Sequence, residues 1–179
     1  MSEPQSPAVV DYDARWPVQF QAERSVLREA LGDLLVTDVE HIGSTAIPTM
    51  PAKPLIDMMA GIARLADADA AEPLLAGLGY ARQIHRVDAV LFSKVSDSFL
   101  THSLQLTTPG SDLWQERLAF RDAVRADPAL VAEYAELKAR LLRATGGAPY
   151  DARDKREFVR RVLRQAGLTL RDDRHAPGR

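Results

Sequence analysis

The chain has no cysteine, and that absence excludes disulfides, thiolate metal centres and a cysteine nucleophile. It also lacks any apolar run approaching the ~20 residues that span a bilayer, and no apolar segment follows a basic start. The expectation is therefore a cytoplasmic protein with no membrane partner. Neither sign of charge dominates, since 23 basic residues face 25 acidic ones for a net charge of -2. No global field favours a nucleic-acid backbone, so no nucleic-acid partner is expected and any polyanion site must be local. Internal repeats, low-complexity tracts and linkers are missing as well. So are a Ser-His-Asp order, a metal-binding histidine pair and a helix-opening glycine fingerprint.

What is present centres on residues 41–59. Gly43 permits a tight turn or a close backbone approach, and the hydroxyls of Ser44 and Thr45 with their amides can face an anion. Three prolines cross to Leu55-Ile56-Asp57-Met58-Met59, which reads as a buried strand carrying one carboxylate. A charge there is costly unless it is paired or binds a metal, so Asp57 is the first functional candidate. Taken alone, Gly43-Ser44 reads as an ordinary loop, and Asp57 has the alternative of a buried acid paired with a structural Lys or Arg.

The order of parts, a strand end, Gly-Ser and then an aspartate in the next apolar strand, looks like the nucleotidyltransferase pattern. The fuller strings Glu40-His41-Ile42-Gly43-Ser44-Thr45-Ala46 and Pro51-Ala52-Lys53-Pro54-Leu55-Ile56-Asp57 resemble the GrpB-like family of predicted nucleotidyltransferases. The likeness continues through Tyr12-Asp13, Trp16 and Phe20, then Phe120-Arg121-Asp122, Tyr134 with Leu137-Lys138, and Tyr150 with Lys155. It covers roughly residues 10–166.

That resemblance implies an α+β fold, with a small mixed sheet of about five strands, flanking helices and a C-terminal helical half. It also implies phosphate binding at Gly43 and Ser44 and magnesium at Asp57. The chain departs from the pattern at three places. Active nucleotidyltransferases carry a second carboxylate at the Met59 position, and the family has histidines at the positions of Ser103 and Gln105. Serine and glutamine can hydrogen-bond a base, ribose or phosphate but are poor metal ligands or general bases. Glu40 is the nearest candidate for a second carboxylate, or else an ordinary salt-bridge partner. Lys53, Arg121, Lys138 and Lys155 would line the wall that a triphosphate needs, or are polar loop and helix-face residues.

Periodicity and turn signals place the elements. A helix is expected from 16 to about 31, closed by Gly32, then a strand over 36–42 and another from 55 to about 62. A helix capped by Asp67 or Asp69 runs to 78, with Pro73 in its first turn. Strands over 80–84, 89–95 and 100–107 form an antiparallel meander, the last lying beside Asp57 with His102 on its apolar side. Ser111 caps one helix, and Asp127-Pro128 opens another that Gly146-Gly147 breaks. A last helix over 150–166 turns Phe158, Val162 and Ala166 inward and ends at Gly167. One domain over 8–170 is expected, with 1–7 and 171–179 flexible. The leading expectation is a protein that binds ATP or another nucleoside triphosphate with magnesium and transfers a nucleotidyl group to a small acceptor. The alternative is a ligand-binding module that kept the fold and lost the chemistry.

Overall fold

The computed structural model describes residues 7–144 and 153–168, and these form an α+β fold. Five strands make one mixed sheet in the order β1-β2-β5-β4-β3. They are β1 (Glu40–Ile42), β2 (Ile56–Gly61), β3 (Tyr80–His85), β4 (Ala89–Ser96) and β5 (Phe99–Thr107). Only β2 and β5 pair in parallel; the other neighbours are antiparallel. The expected meander is therefore present, and β5 lies against β2 with Ser103 level with Asp57. Asp97 and Ser98 turn the β4–β5 hairpin with φ of 49° and 70°, the positive values that a tight two-residue hairpin turn requires.

Side-chain alternation divides the sheet. Ile56, Met58 and Ala60 on β2, with Leu104 and Leu106 on β5, face a core shared with α1 (Arg15–Leu31) and α2 (Ala68–Gly77). Helix α1 buries Trp16, Phe20, Glu23, Leu27 and Leu31, spaced by three or four residues along one stripe. Asp57, Met59, Ser103 and Gln105 have the opposite parity and face the other way. On that side lie α3 (Asp112–Ala126), α4 (Pro128–Ala144) and α5 (Arg153–Gln165), whose core includes Tyr134 stacked on Phe158 at 5.1 Å. Ile47 and Met50, from the loop between β1 and β2, are buried in this helical core. The loop is thereby clamped between the two halves.

Several local expectations change. The strand expected over 36–42 shortens to Glu40–Ile42, with one isolated bridge from Leu35 to Ile62. Thr37 Oγ1 accepts the Gly61 amide at 2.9 Å and Asp38 Oδ1 accepts the Val39 amide at 2.8 Å; such side-chain bonds replace ladder bonds. Asp67 closes a 3-10 turn, accepting the Arg64 amide at 3.0 Å. Helix α2 therefore starts at Ala68, and Pro73 sits in its second turn, not its first. Ser111 caps α3 as expected, accepting the Trp114 amide at 3.2 Å. In α5, Phe158, Val162 and Leu163 are buried while Ala166 is exposed. The Leu168 amide already bonds Leu163 O at 2.9 Å, so Ala166 falls in the closing turn at Gly167. Gly146-Gly147 and the start expected at Tyr150 lie outside the described residues, as do 1–6 and 169–179. Among the described residues no helix is long and apolar enough to cross a membrane.

Candidate functional site

Gly43 follows β1 with φ 71° and ψ -171°, a conformation essentially restricted to glycine. A Cβ built on it would lie 2.5 Å from Asp57 Oδ2. Glycine is thus required twice, for its backbone and for the carboxylate pressed against it. Ser44 comes next, and its hydroxyl accepts a hydrogen bond from Lys138 Nζ at 3.0 Å. The same ammonium donates to Pro51 O at 2.9 Å, so α4 grips the loop at both ends through one amine.

Asp57 forms the floor. Neighbouring protein atoms surround its carboxylate, although the residue keeps a partial opening to solvent. Burial pushes its pKa up to about 6, against the lowering influence of Lys155, Arg117 and Lys138 and of a hydrogen bond from Ser103. Lys138 is held down to about 8, first by burial and then by Lys155 and Lys53, with Asp57 opposing. Lys53, Lys138 and Lys155, from the loop and two helices, therefore act on one small volume. Such like charges repel, and an anion between them adds attractions that outweigh the repulsion.

Neither Arg117 nor Ser93 stood out in the sequence. Arg117 precedes Arg121 by four residues, so helical spacing was the available signal. Ser93 pairs in register with Ser103, which itself pairs with Asp57. The three form a polar row across β2, β5 and β4. Among the described residues, Ser93 Oγ and Arg117 Nε are buried with no hydrogen-bond partner. Gln105 lies level with Met59, which is fully buried.

Three candidate residues are engaged elsewhere. The Thr45 hydroxyl is turned inward: 1% exposed with its residue, it donates to Leu55 O at 3.0 Å and meets His41 Nε2 at 3.1 Å. Arg121 lies over β1, donating to Glu40 Oε2 at 2.7 Å and to His41 O at 3.0 Å, and also pairs with Asp122. It is a strut between α3 and the sheet, and the Glu40 carboxylate is its partner. Among the described residues no group of three His, Asp or Glu side chains converges to hold a metal. His102 belongs to the other face, with Nδ1 3.0 Å from Thr101 Oγ1 and Nε2 3.9 Å from Glu23.

A family model described as GrpB protein matches residues 6–165. The glutamate-rich protein GrpB of Alkalihalophilus pseudofirmus is 30% identical over 164 residues, covering 88% of this chain and 94% of that protein. The crystal structure of conserved protein GrpB from Enterococcus faecalis superposes with a TM-score of 0.79 at 26% identity, over 89% of this chain and 96% of the other. Cid1 in complex with the UTP analog UMPNPP is similar at a TM-score of 0.51 and 14% identity, over 73% of this chain and 41% of Cid1. That last likeness is one of fold.

Proposed function

The chain belongs to the GrpB family, and from that premise and its nucleotidyltransferase-like fold we propose that it binds a nucleoside triphosphate and transfers a nucleotidyl group to a small acceptor. The observation that carries this reading is the Lys138 bridge to Ser44 and Pro51 beside Asp57. It fixes a glycine-turned loop against a cluster of cations, the arrangement that a chain of phosphates neutralises. In the transfer, an acceptor oxygen forms the new bond to the α-phosphorus, pyrophosphate leaves with the electrons of the broken bond, and the acceptor proton passes to water. Gly43 and Ser44 hold the phosphates, Lys138, Lys155 and Lys53 neutralise them, and Ser103 and Gln105 hydrogen-bond the nucleoside.

The residues fit one magnesium ion that arrives with the phosphates, and they do not fit two. Magnesium accepts one or two carboxylates plus phosphate oxygens. Asp57 supplies one, whereas Glu40 is engaged by Arg121 and the next position on the same face of the strand is the buried Met59. A bare divalent cation would meet the field of Lys138, Lys155 and Arg117, so phosphate must accompany it. Such an ion would supply neutralisation of phosphate charge.

Met59 favours a second reading, binding without transfer. Calorimetric titration with ATP, GTP, CTP and UTP, with and without magnesium, tests the first step, and pyrophosphate release with a panel of acceptors separates the two readings. Binding that requires Ser44 and Lys138, with magnesium dependence lost in Asp57→Asn, is the expected result. Failure of all four nucleotides to bind would overturn both readings.

A further inference from the structure

A cavity of about 360 Å³ opens at the free edge of β1, between α1 and α3, and Asp57 does not line it. Its volume lies at the low end of small-molecule sites. One wall is apolar, made by Tyr12, Pro17, Phe20 and Pro48. The other is charged, and its charges sort into pairs. Arg24 is bonded to Asp38, and Arg121 to both Glu40 and Asp122. Arg125 is different. Its Nε donates to Ala46 O at 2.7 Å, and among the described residues its remaining guanidinium donors meet no hydrogen-bonding acceptor. His41 adds no charge near neutral pH, because burial and then Arg125 and Arg121 hold it down to about 4.

We propose that this cavity is a second ligand site, which takes a small monocarboxylate with a flat apolar body, its carboxylate on Arg125 and its body against Tyr12, Phe20 and Pro48. The donor geometry selects the class. Asp122 and Glu40 act on the Arg125 guanidinium only at longer range, so its remaining donors are open to one planar carboxylate, which they meet in parallel. A polyphosphate would meet Asp38 and Glu40 on the same wall, so the site differs in chemistry from the lysine cluster at Asp57. The proposal does not rest on the nucleotide reading. It does bear on the loop, because Arg125 and Arg121 also hold Ala46 O and His41 O, on either side of Gly43-Ser44.

Benzoate, benzamide and inorganic phosphate serve as probes for the full-length chain, with binding followed by NMR titration at neutral pH. Benzoate should bind saturably, with intermolecular nuclear Overhauser contacts to the Tyr12 and Phe20 rings. Benzamide, lacking the charge, and the variant Arg125→Gln should each weaken binding by roughly ten-fold or more. Phosphate should compete poorly, and Asp57→Asn should leave the benzoate affinity unchanged. Arg125 is exposed, so its replacement should not unfold the chain, and the contacts to Tyr12 and Phe20 are read in the wild type. No saturable binding of benzoate, equal binding of benzamide, affinity unaltered in Arg125→Gln, or loss in Asp57→Asn would each overturn the assignment.

Discussion

Among the described residues, two carboxylates are drawn inward on opposite faces of the sheet, and they are treated in opposite ways. Glu23, on α1, accepts from the Tyr80 hydroxyl at 2.8 Å and from Lys94 Nζ at 3.0 Å, with His102 Nε2 at 3.9 Å. Its partners come from β3, β4 and β5, so the acid joins the helix to three strands. Among the described residues Asp57 draws on one hydrogen-bond donor, Ser103, and on the charges of Lys155, Arg117 and Lys138. A buried charge saturated with direct partners holds structure together. A buried charge left with charged neighbours and little direct bonding keeps an unmet demand, and a ligand can meet it.

Removing the saturated acid should have the largest effect. Glu23→Ala leaves Lys94 and the Tyr80 hydroxyl without their acceptor, and a loss of about 3–5 kcal/mol in urea unfolding is expected, with nucleotide titrations unchanged. A loss below about 1 kcal/mol would place Glu23 among exposed pairs and erase the contrast.

Next comes the glycine against Asp57. Gly43→Ala combines positive-φ strain with a Cβ only 2.5 Å from Asp57 Oδ2, so a loss of about 2–4 kcal/mol is expected. The test is the melting temperature without ligand. An unchanged value would mean that the loop relaxes freely.

Asp57→Asn should act in the other direction. Because the folded pKa of Asp57 is raised to about 6, the native state holds a proton more tightly than the unfolded state. The ionised acid therefore destabilises the fold above that value, and the penalty vanishes once pH falls below the unfolded pKa of about 3.9. The variant should gain on the order of 1–3 kcal/mol at pH 8 and nothing below about pH 4. His41 has the opposite sign. Its pKa is lowered to about 4, so stability is lost as pH falls from about 6.5 towards that value. Asp57→Asn should leave the loss of stability on acidification, to which His41 and the likewise depressed His102 contribute, as urea midpoints across the range would record. A variant less stable than the wild type at pH 8 would make Asp57 a second structural acid.

The smallest effect sharpens the contrast on the ligand side. Lys138→Met should change stability little, since an amine already disfavoured by burial is removed with its two bonds, yet it should weaken triphosphate binding by roughly ten-fold. Binding to the wild type should also decline as pH rises through about 8, where Lys138 loses its proton. A flat profile in calorimetry would remove Lys138 from the phosphate site.

Much of this was legible in the chain. Apolar periodicity and turn residues located the helices and the meander, and the Gly43-Ser44 and Asp57 strings marked residues that the fold brings into contact. The ends of elements were less legible, because they depend on hydrogen bonds from distant residues, as Gly61 to Thr37 shortens the strand before Gly43. Charged residues were the hardest to assign. Arg121 and Lys138 carry the same charge on neighbouring helices, yet one is a strut on Glu40 and the other bridges Ser44 and Pro51. Arg117 and Ser93 reach the site only through the packing of α3 and the pairing of β4 with β5.

The sequence by itself determined the order of helices and strands, the glycine turn and the apolar strand that carries one acid, since each rests on local sterics and on a repeat of two or 3.6 residues. Tertiary structure alone decided which acid is saturated and which is left in demand. That outcome depends on distances between side chains 40 to 100 positions apart, and the energy of a charge follows those distances and its burial, not its place in the chain.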